Sequence, residues 1–368
     1  MKTFEYGDNE IGSKEVTMSV ASMVIGFGVL TLPRTIVSTT NSIDGFISIV
    51  IGGILILFFT WILGMLTTKF PKKNLHEFTS LIINKPVATI LTMIFAFYSM
   101  LFVSYEMRGT ADISKLYLFD DTPVEVIGFV FLLVVIYAVS GPSSVIIRIN
   151  LMFLPIVLCI LAVLILLNVN FFEVKNIKPF FVTDWLGILQ ASRETIFSFL
   201  GFETILFYNM FLNKPKDMVK SALVGISIPF LLYLLIFLFV IGVFGTEVTR
   251  NLLYPTAELA RLVEIPGGFF ERFESLFFTI WVMTLFTTAA MAYDVTLLAL
   301  KSVFNKVNRM TLIFILSPIM YIIAMTPQNV LELSIFGEWI SYIGIILSMV
   351  IPVLLLIIAK IRGVKVNG

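Results

Sequence analysis

One cysteine and one histidine are all that this 368-residue chain offers of the side chains most used for metal ligation and covalent chemistry. Cys159 lies inside an apolar run, so it builds neither an intrachain disulfide framework nor a cysteine metal site, and reads as a small core residue. His76 falls in the loop after the second apolar segment, which excludes a histidine triad or histidine metal cluster within the membrane. A glycine-rich phosphate loop is missing as well. The expectation is a protein that is not an enzyme and uses no cofactor. Charge is scarce too: Asp, Glu, Lys and Arg make up 13% of the residues, against 58% hydrophobic and 14% aromatic, and the formal net charge is +1. The positive residues are spread over short loops and form no patch, so nucleic acid is not an expected partner. A soluble domain has no interior large enough for this much apolar surface. With a mean hydropathy of +1.01 the composition specifies an all-α polytopic membrane protein whose surroundings are lipid. The first dozen residues, with Glu5, Asp8 and Glu10, are polar, and the first apolar run continues into a full span, unlike a cleavable signal peptide.

About 20 apolar residues cross a bilayer as a helix. Ten such segments are expected, at 13–33, 43–67, 88–109, 124–140, 143–168, 187–211, 218–244, 273–300, 311–326 and 335–359. The ninth is short, and the fourth and fifth nearly touch at Ser140-Gly141-Pro142-Ser143. Lys and Arg residues divide 16 to 8 in favour of the side that carries the termini, with Arg193 inside a helix, which places both termini in the cytoplasm. Residues 1–368 then form a single membrane domain of two sets of five helices, repeat one over about 13–168 and repeat two over about 187–359. Because five is odd, the second set lies upside down relative to the first.

Each set opens with an interrupted helix. The first contains Ser22-Met23-Val24-Ile25-Gly26-Phe27-Gly28, and the sixth contains Ser198-Phe199-Leu200-Gly201-Phe202-Glu203. Glycine lets the backbone leave helical geometry at little steric cost, and a break exposed to lipid would strand peptide N–H and C=O groups. Paired breaks in corresponding positions therefore point to a small polar site at the middle of the membrane. There the start of a half-helix offers free N–H donors and partial positive charge to an anionic group.

Polar residues at membrane depth identify the rest of the candidate site. Glu203, mid-helix, would cost on the order of 3 kcal/mol if it faced lipid, so it is expected to face the bundle. Glu106 and Arg108 lie in the outer part of the third helix, on the path a ligand would take, and Tyr98 and Ser99 lie at the depth of the two breaks. Thr284, Thr287 and Thr288 share one side of the eighth helix and are placed on a cavity wall, although threonines also bond back to their own helix. Asp294, nearer the cytoplasmic end, is expected to pair with Lys301 or be wet, and Arg193 with Glu194 to be solvated or paired. Between the seventh and eighth helices, Thr256 is expected to cap a short helix with Leu259, Leu262 and Val263 on its apolar side and Pro266-Gly267 as its stop. Such a helix is either a lid over the outer face or an ordinary interfacial helix.

Ile25-Gly26-Phe27-Gly28-Val29-Leu30-Thr31-Leu32-Pro33-Arg34, Val139-Ser140-Gly141-Pro142, Phe199-Leu200-Gly201-Phe202-Glu203, Tyr254-Pro255-Thr256 and Glu264-Ile265-Pro266-Gly267-Gly268-Phe269-Phe270-Glu271-Arg272-Phe273 together resemble the B subunit of the bacterial spore germinant receptors. That family belongs to the amino acid-polyamine-organocation superfamily, and the resemblance covers almost the whole chain. It implies a LeuT-like 5+5 inverted repeat with broken helices 1 and 6. It also implies a nutrient sensor in the spore inner membrane, in contact with lipid and partnered by an A subunit and a lipoprotein C subunit. Carried over to this chain, the resemblance implies a ligand site at Gly26, Phe27, Gly28, Gly201, Phe202 and Glu203, with Glu106, Thr284, Thr287 and Thr288 in lining positions; Ser22, Val24, Tyr98, Phe102 and Ser198 complete the candidate set. Two other readings compete with it: an ion-coupled amino acid permease with Glu203 or Glu106 as proton carrier, and a membrane scaffold with a vestigial site.

Overall fold

The computed structural model describes residues 9–263 and 273–364, and among them the chain is helical, with one isolated β-bridge between Ile11 and Leu212. The helices are α1 (Ser13–Val24), α2 (Gly28–Thr40), α3 (Gly45–Lys69), α4 (Leu75–Ile82), α5 (Lys85–Tyr117), α6 (Val124–Ser140), α7 (Ser143–Leu167), α8 (Trp185–Ser198), α9 (Ile205–Tyr208), α10 (Met218–Asn251), α11 (Pro255–Arg261), α12 (Phe273–Val303), α13 (Arg309–Ala324), α14 (Val330–Ile345) and α15 (Ile351–Ile361). Six stretches are each long and apolar enough to cross a membrane: α3, α5, α7, α10, α12, and α14 continued into α15. The pair α1 and α2 qualifies jointly, bent by 49°, and α6 and α13 are shorter apolar helices. The chain is therefore a multi-pass membrane protein. Its exposed Phe314, Ile322 and Trp339 are what a lipid-facing surface requires.

α5 outruns its apolar segment, continuing past residue 109 to Tyr117, whereas α10 breaks at Gly245 (φ +72°), beside the expected end at 244, and a further helical stretch runs on to Asn251. The charges that end the apolar run pair one turn apart within the helix, Arg108 with Asp112 at 3.0 Å and Arg250 with Glu247 at 3.1 Å. α14 starts at Val330 because the Asn329 side chain accepts the Glu332 N–H at 3.0 Å and caps the first turn.

α11 corrects the expected capping. Pro255 occupies its first turn and no side chain caps it. Thr256 instead donates to the Val29 carbonyl oxygen at 2.7 Å, a bond that ties this short helix to the first span. Leu259 and Val263 are buried, as an apolar side requires. The expected stop at Pro266-Gly267 and the run from Glu264 to Arg272 lie outside the described residues.

Where the described residues begin, a set of bonds ties the start of the chain to other elements of the bundle. Ile11 donates to the Phe211 carbonyl and accepts from the Asn213 N–H, Glu10 pairs with Lys72 at 2.7 Å, and Ser13 donates to Asp217 at 2.8 Å. Asp294 is not placed as expected. It is fully buried, ion-paired with Arg309 rather than Lys301, and accepts the Ser143 hydroxyl at 2.8 Å. The hairpin into α13 brings Arg309 back over α12, whereas Lys301 donates to the Val307 carbonyl at 3.0 Å. Burying a carboxylate here is tolerable because a cation and a hydroxyl replace water.

Candidate functional site

At the break in the first span, Ile25 leaves helical geometry (φ −77°, ψ 68°) and the Gly26 N–H closes a tight turn onto the Val24 carbonyl at 2.8 Å. At the second break, Gly201 adopts φ +119°, a left-handed conformation that disfavours side chains. A Cβ there would also lie 2.7 Å from Met23 Cγ, so the two breaks meet directly. Tyr233 joins them from α10, its hydroxyl 2.8 Å from the Val24 carbonyl oxygen and 3.1 Å from that of Ser198. The hydroxyl thus bridges the Val24 carbonyl, which also closes the Gly26 turn, and the Ser198 carbonyl at the end of α8.

Glu203 is buried and spoken for. One carboxylate oxygen accepts the Tyr98 hydroxyl at 2.8 Å and the other the Gly201 N–H at 2.9 Å. The side chain thus holds open the turn of the second break and supplies the partner that the Tyr98 hydroxyl needs. Beneath the main site, Tyr98, Phe102, Glu203 and Met23 surround a void of about 10 Å³, the size of one water.

A cavity of about 620 Å³ opens at the end opposite the termini and descends to the first break. Val24, Gly26, Phe27, Gly28, Phe102, Glu106 and Ser198 of the expected set line it. Glu106 is 2% exposed; its carboxylate lies beside the Phe27 backbone N–H, and its Oε2 has no hydrogen-bond partner. The mouth carries Arg34, Glu194 and Glu338. Glu194 pairs with Arg193 at 2.9 Å, and the Arg193 guanidinium lies over the Phe197 and Tyr342 rings.

The other expected residues sit behind the cavity and do not line it. The Thr287 and Ser22 hydroxyls are 3.1 Å apart, and Thr288 donates to the Ser22 carbonyl oxygen at 3.3 Å. These contacts bind α12 to the half-helix α1, while Thr284 Oγ1 is buried without a partner. Gly201 and Phe202 pack against the back of the first break.

The sequence reading missed one wall entirely. Ser334, Gly337, Glu338 and Ser341 of α14 face the cavity. Their spacing of i, i+3, i+4 and i+7 is one helical face of small and polar residues on an otherwise apolar segment, and that signal was readable. Tyr105 and Tyr254, ringed edge-to-face about Phe27 at 5.7 and 5.8 Å, complete the aromatic lining.

A family model described as "Spore germination protein" matches residues 10–333. GerLB of Bacillus cereus is 40% identical, covering 98% of this chain and 97% of that protein. YndE of Bacillus subtilis (strain 168) is 30% identical over 96% and 97%, and spore germination protein A2 of the same strain 27% over 94% of each. Among solved structures, MhsT in complex with L-phenylalanine superposes with a TM-score of 0.68 over 95% of this chain and 89% of that one. At 14% identity this likeness shows a shared fold alone, and it is the LeuT-like architecture that the motifs implied. With its family model spanning most of the sequence and full-length relatives that are germination proteins, the chain belongs to the spore germination protein family.

Proposed function

We propose that this chain is the nutrient-binding membrane subunit of a spore germinant receptor, taking a small molecule such as an amino acid from the end opposite the termini. Its ten spans form two inverted sets of five, with both termini in the cytoplasm and the chain in the spore inner membrane beside A and C partner subunits. The observation that carries the reading is the cavity that ends on the broken first span at a buried carboxylate with a free oxygen. The amino acid bound by MhsT, which shares the fold, supports a ligand of that scale.

A sensor needs differential affinity, because a ligand shifts an equilibrium only by as much as it prefers one state. The cavity touches both broken spans, and Tyr233 ties these together, so a ligand that draws them into a new arrangement moves α10 and α12 with them. That displacement is the signal to a partner subunit. The purified protein in liposomes is the test, with the common radiolabelled L-amino acids as probes. Saturable binding without accumulation supports the sensor, gradient-driven accumulation by this chain alone makes it an ion-coupled permease, and absence of binding by every probe overturns both.

A further inference from the structure

We propose that the floor of the cavity recognises a cation: the ammonium group of the ligand docks on the Glu106 carboxylate, so the ligands are primary amines whether or not they carry a free carboxylate. The proposal rests on the reading of the cavity as a nutrient site and adds the polarity of that site.

The start of a half-helix ordinarily attracts an anion, because its first N–H groups have no partners within the helix. The sequence alone therefore predicts that a ligand's carboxylate would sit on α2. The protein has filled that place itself. Glu106 reaches across from α5 and sets its carboxylate beside the Phe27 N–H at the start of the half-helix. A second carboxylate brought to the same point would meet the first at close range without water between them, a repulsive arrangement in a low-dielectric site.

The remaining acceptor of Glu106 points the same way. The side chain is 2% exposed, lines the cavity, and keeps Oε2 without any partner. A buried carboxylate oxygen left unpaired is costly, and a charge-assisted bond to an ammonium removes that cost. Among the described residues, the cations on the neighbouring elements are engaged or distant. Arg108, two residues along α5, is engaged with Asp112 at 3.0 Å. Arg34 lies seven residues beyond Phe27, roughly 10 Å along α2 at 1.5 Å per residue. Arg193 is held by Glu194.

The rest of the cavity suits a cation as well. Glu194 and Glu338 line its upper part, against Arg34 as the one basic residue of the lining. The Phe27, Tyr105 and Tyr254 rings form an aromatic wall, a surface that attracts ammonium groups. Nothing larger than a hydrogen stands at Gly26, where a Cβ would lie 3.3 Å from Glu106 Oε1. The carboxylate is thus open to a ligand lying against the break.

The test uses the full chain in nanodiscs and needs no variant to decide it. The common L-amino acids are screened by ligand-induced thermal shift. Every hit is then compared with its amide, which keeps the cation and loses the anion, and with its N-acetyl derivative, which does the reverse. The amide is expected to bind within about 3-fold of the parent and the N-acetyl form at least ~30-fold more weakly, the scale of a lost charge-assisted bond. Glu106→Gln, which keeps an acceptor for the Phe27 N–H, is expected to weaken amino acid and amide alike by a similar factor. An N-acetyl form that binds as well as its parent overturns the proposal. So does loss of binding by the amide alone, which would mean that Glu106 donates a proton to a ligand carboxylate. If a hit binds with that opposite polarity, the nutrient site stands and only its polarity falls; if no probe binds, the site itself falls.

Discussion

Gly28→Ala tests whether the two interrupted spans are held by direct contact. A methyl carbon at position 28 would lie 2.9 Å from Tyr233 Oη, 3.1 Å from Ser198 Cβ and 3.2 Å from the Ser198 carbonyl oxygen. All three are tighter than an unstrained contact of about 3.5–4.0 Å. The neighbours are not free to retreat, because the Tyr233 hydroxyl bridges the Val24 and Ser198 carbonyls and its side chain is 1% exposed. Overpacking of this kind costs about 1–3 kcal/mol. Tyr233→Phe deletes the donor shared by two buried carbonyls and costs about 1–3 kcal/mol by itself, since unsatisfied buried acceptors bear the loss. In the double variant the methyl meets no hydroxyl, so part of its cost disappears while the Ser198 contacts remain. The two changes together are therefore expected to cost less than their sum, with a coupling of at least ~0.5 kcal/mol. Reversible unfolding in mixed micelles, run on the four proteins of the cycle, reads this directly. Strict additivity, or a Gly28→Ala protein as stable as its parent, would refute the reasoning.

Three further perturbations probe other parts of the same framework. Glu203→Gln leaves one oxygen to serve both the Tyr98 hydroxyl and the Gly201 N–H, and is expected to destabilise by about 1.5–3 kcal/mol in the same assay, the worth of a hydrogen bond to a charged group; an unperturbed protein would show that the carboxylate is not what shapes the second break. Arg309→Met strands the buried Asp294 and is expected to cost about 3–5 kcal/mol, whereas Arg309→Met combined with Asp294→Leu recovers most of it; equal losses in the single and double variants contradict the pairing. His76, on α4 and outside the spans, is held below its ordinary value of 6.5 by burial and by nearby Lys85, against an opposing pull from Glu77. Its neutral form is the one the fold accommodates, so its contribution is fully present above about pH 6.5 and falls away as the pH drops below that toward its folded value. Amide exchange in α4 is expected to speed up between pH 7 and 5 and to lose that dependence in His76→Gln; an identical profile in the variant removes the histidine from the explanation.

How much of this was legible depends on the distance over which each feature is decided. The two breaks were visible because Gly26, Gly28 and Gly201 are local permissions for the backbone, and the structure bends or unwinds at each of them. The length of α5 was underestimated because an apolar window stops at Arg108, while the helix continues through pairs such as Arg108 with Asp112; in α10 the break at Gly245 falls where the apolar segment was expected to end. Thr256 looked like a cap because threonine commonly is one. Its actual partner, Val29, is 227 residues away, and no local pattern specifies such a bond. The three threonines of α12 share a face as their spacing required, but that face meets Ser22 of α1 and not the cavity.

Composition and apolar segment length determined that this is a helical membrane protein with a glutamate inside its sixth segment, and the resemblance of its motifs pointed to the spore germination family. The first of these follows from what each stretch does to its own backbone and to lipid. Tertiary structure decided which polar groups were left over. It gave Glu203 to Tyr98 and Gly201, gave Asp294 to Arg309, and brought α14 in as a wall. It also left the Glu106 carboxylate beside the Phe27 N–H with one oxygen unclaimed. A carboxylate in a sequence has a charge but no neighbours, and in a low-dielectric interior its neighbours decide whether it braces the fold or waits for a ligand.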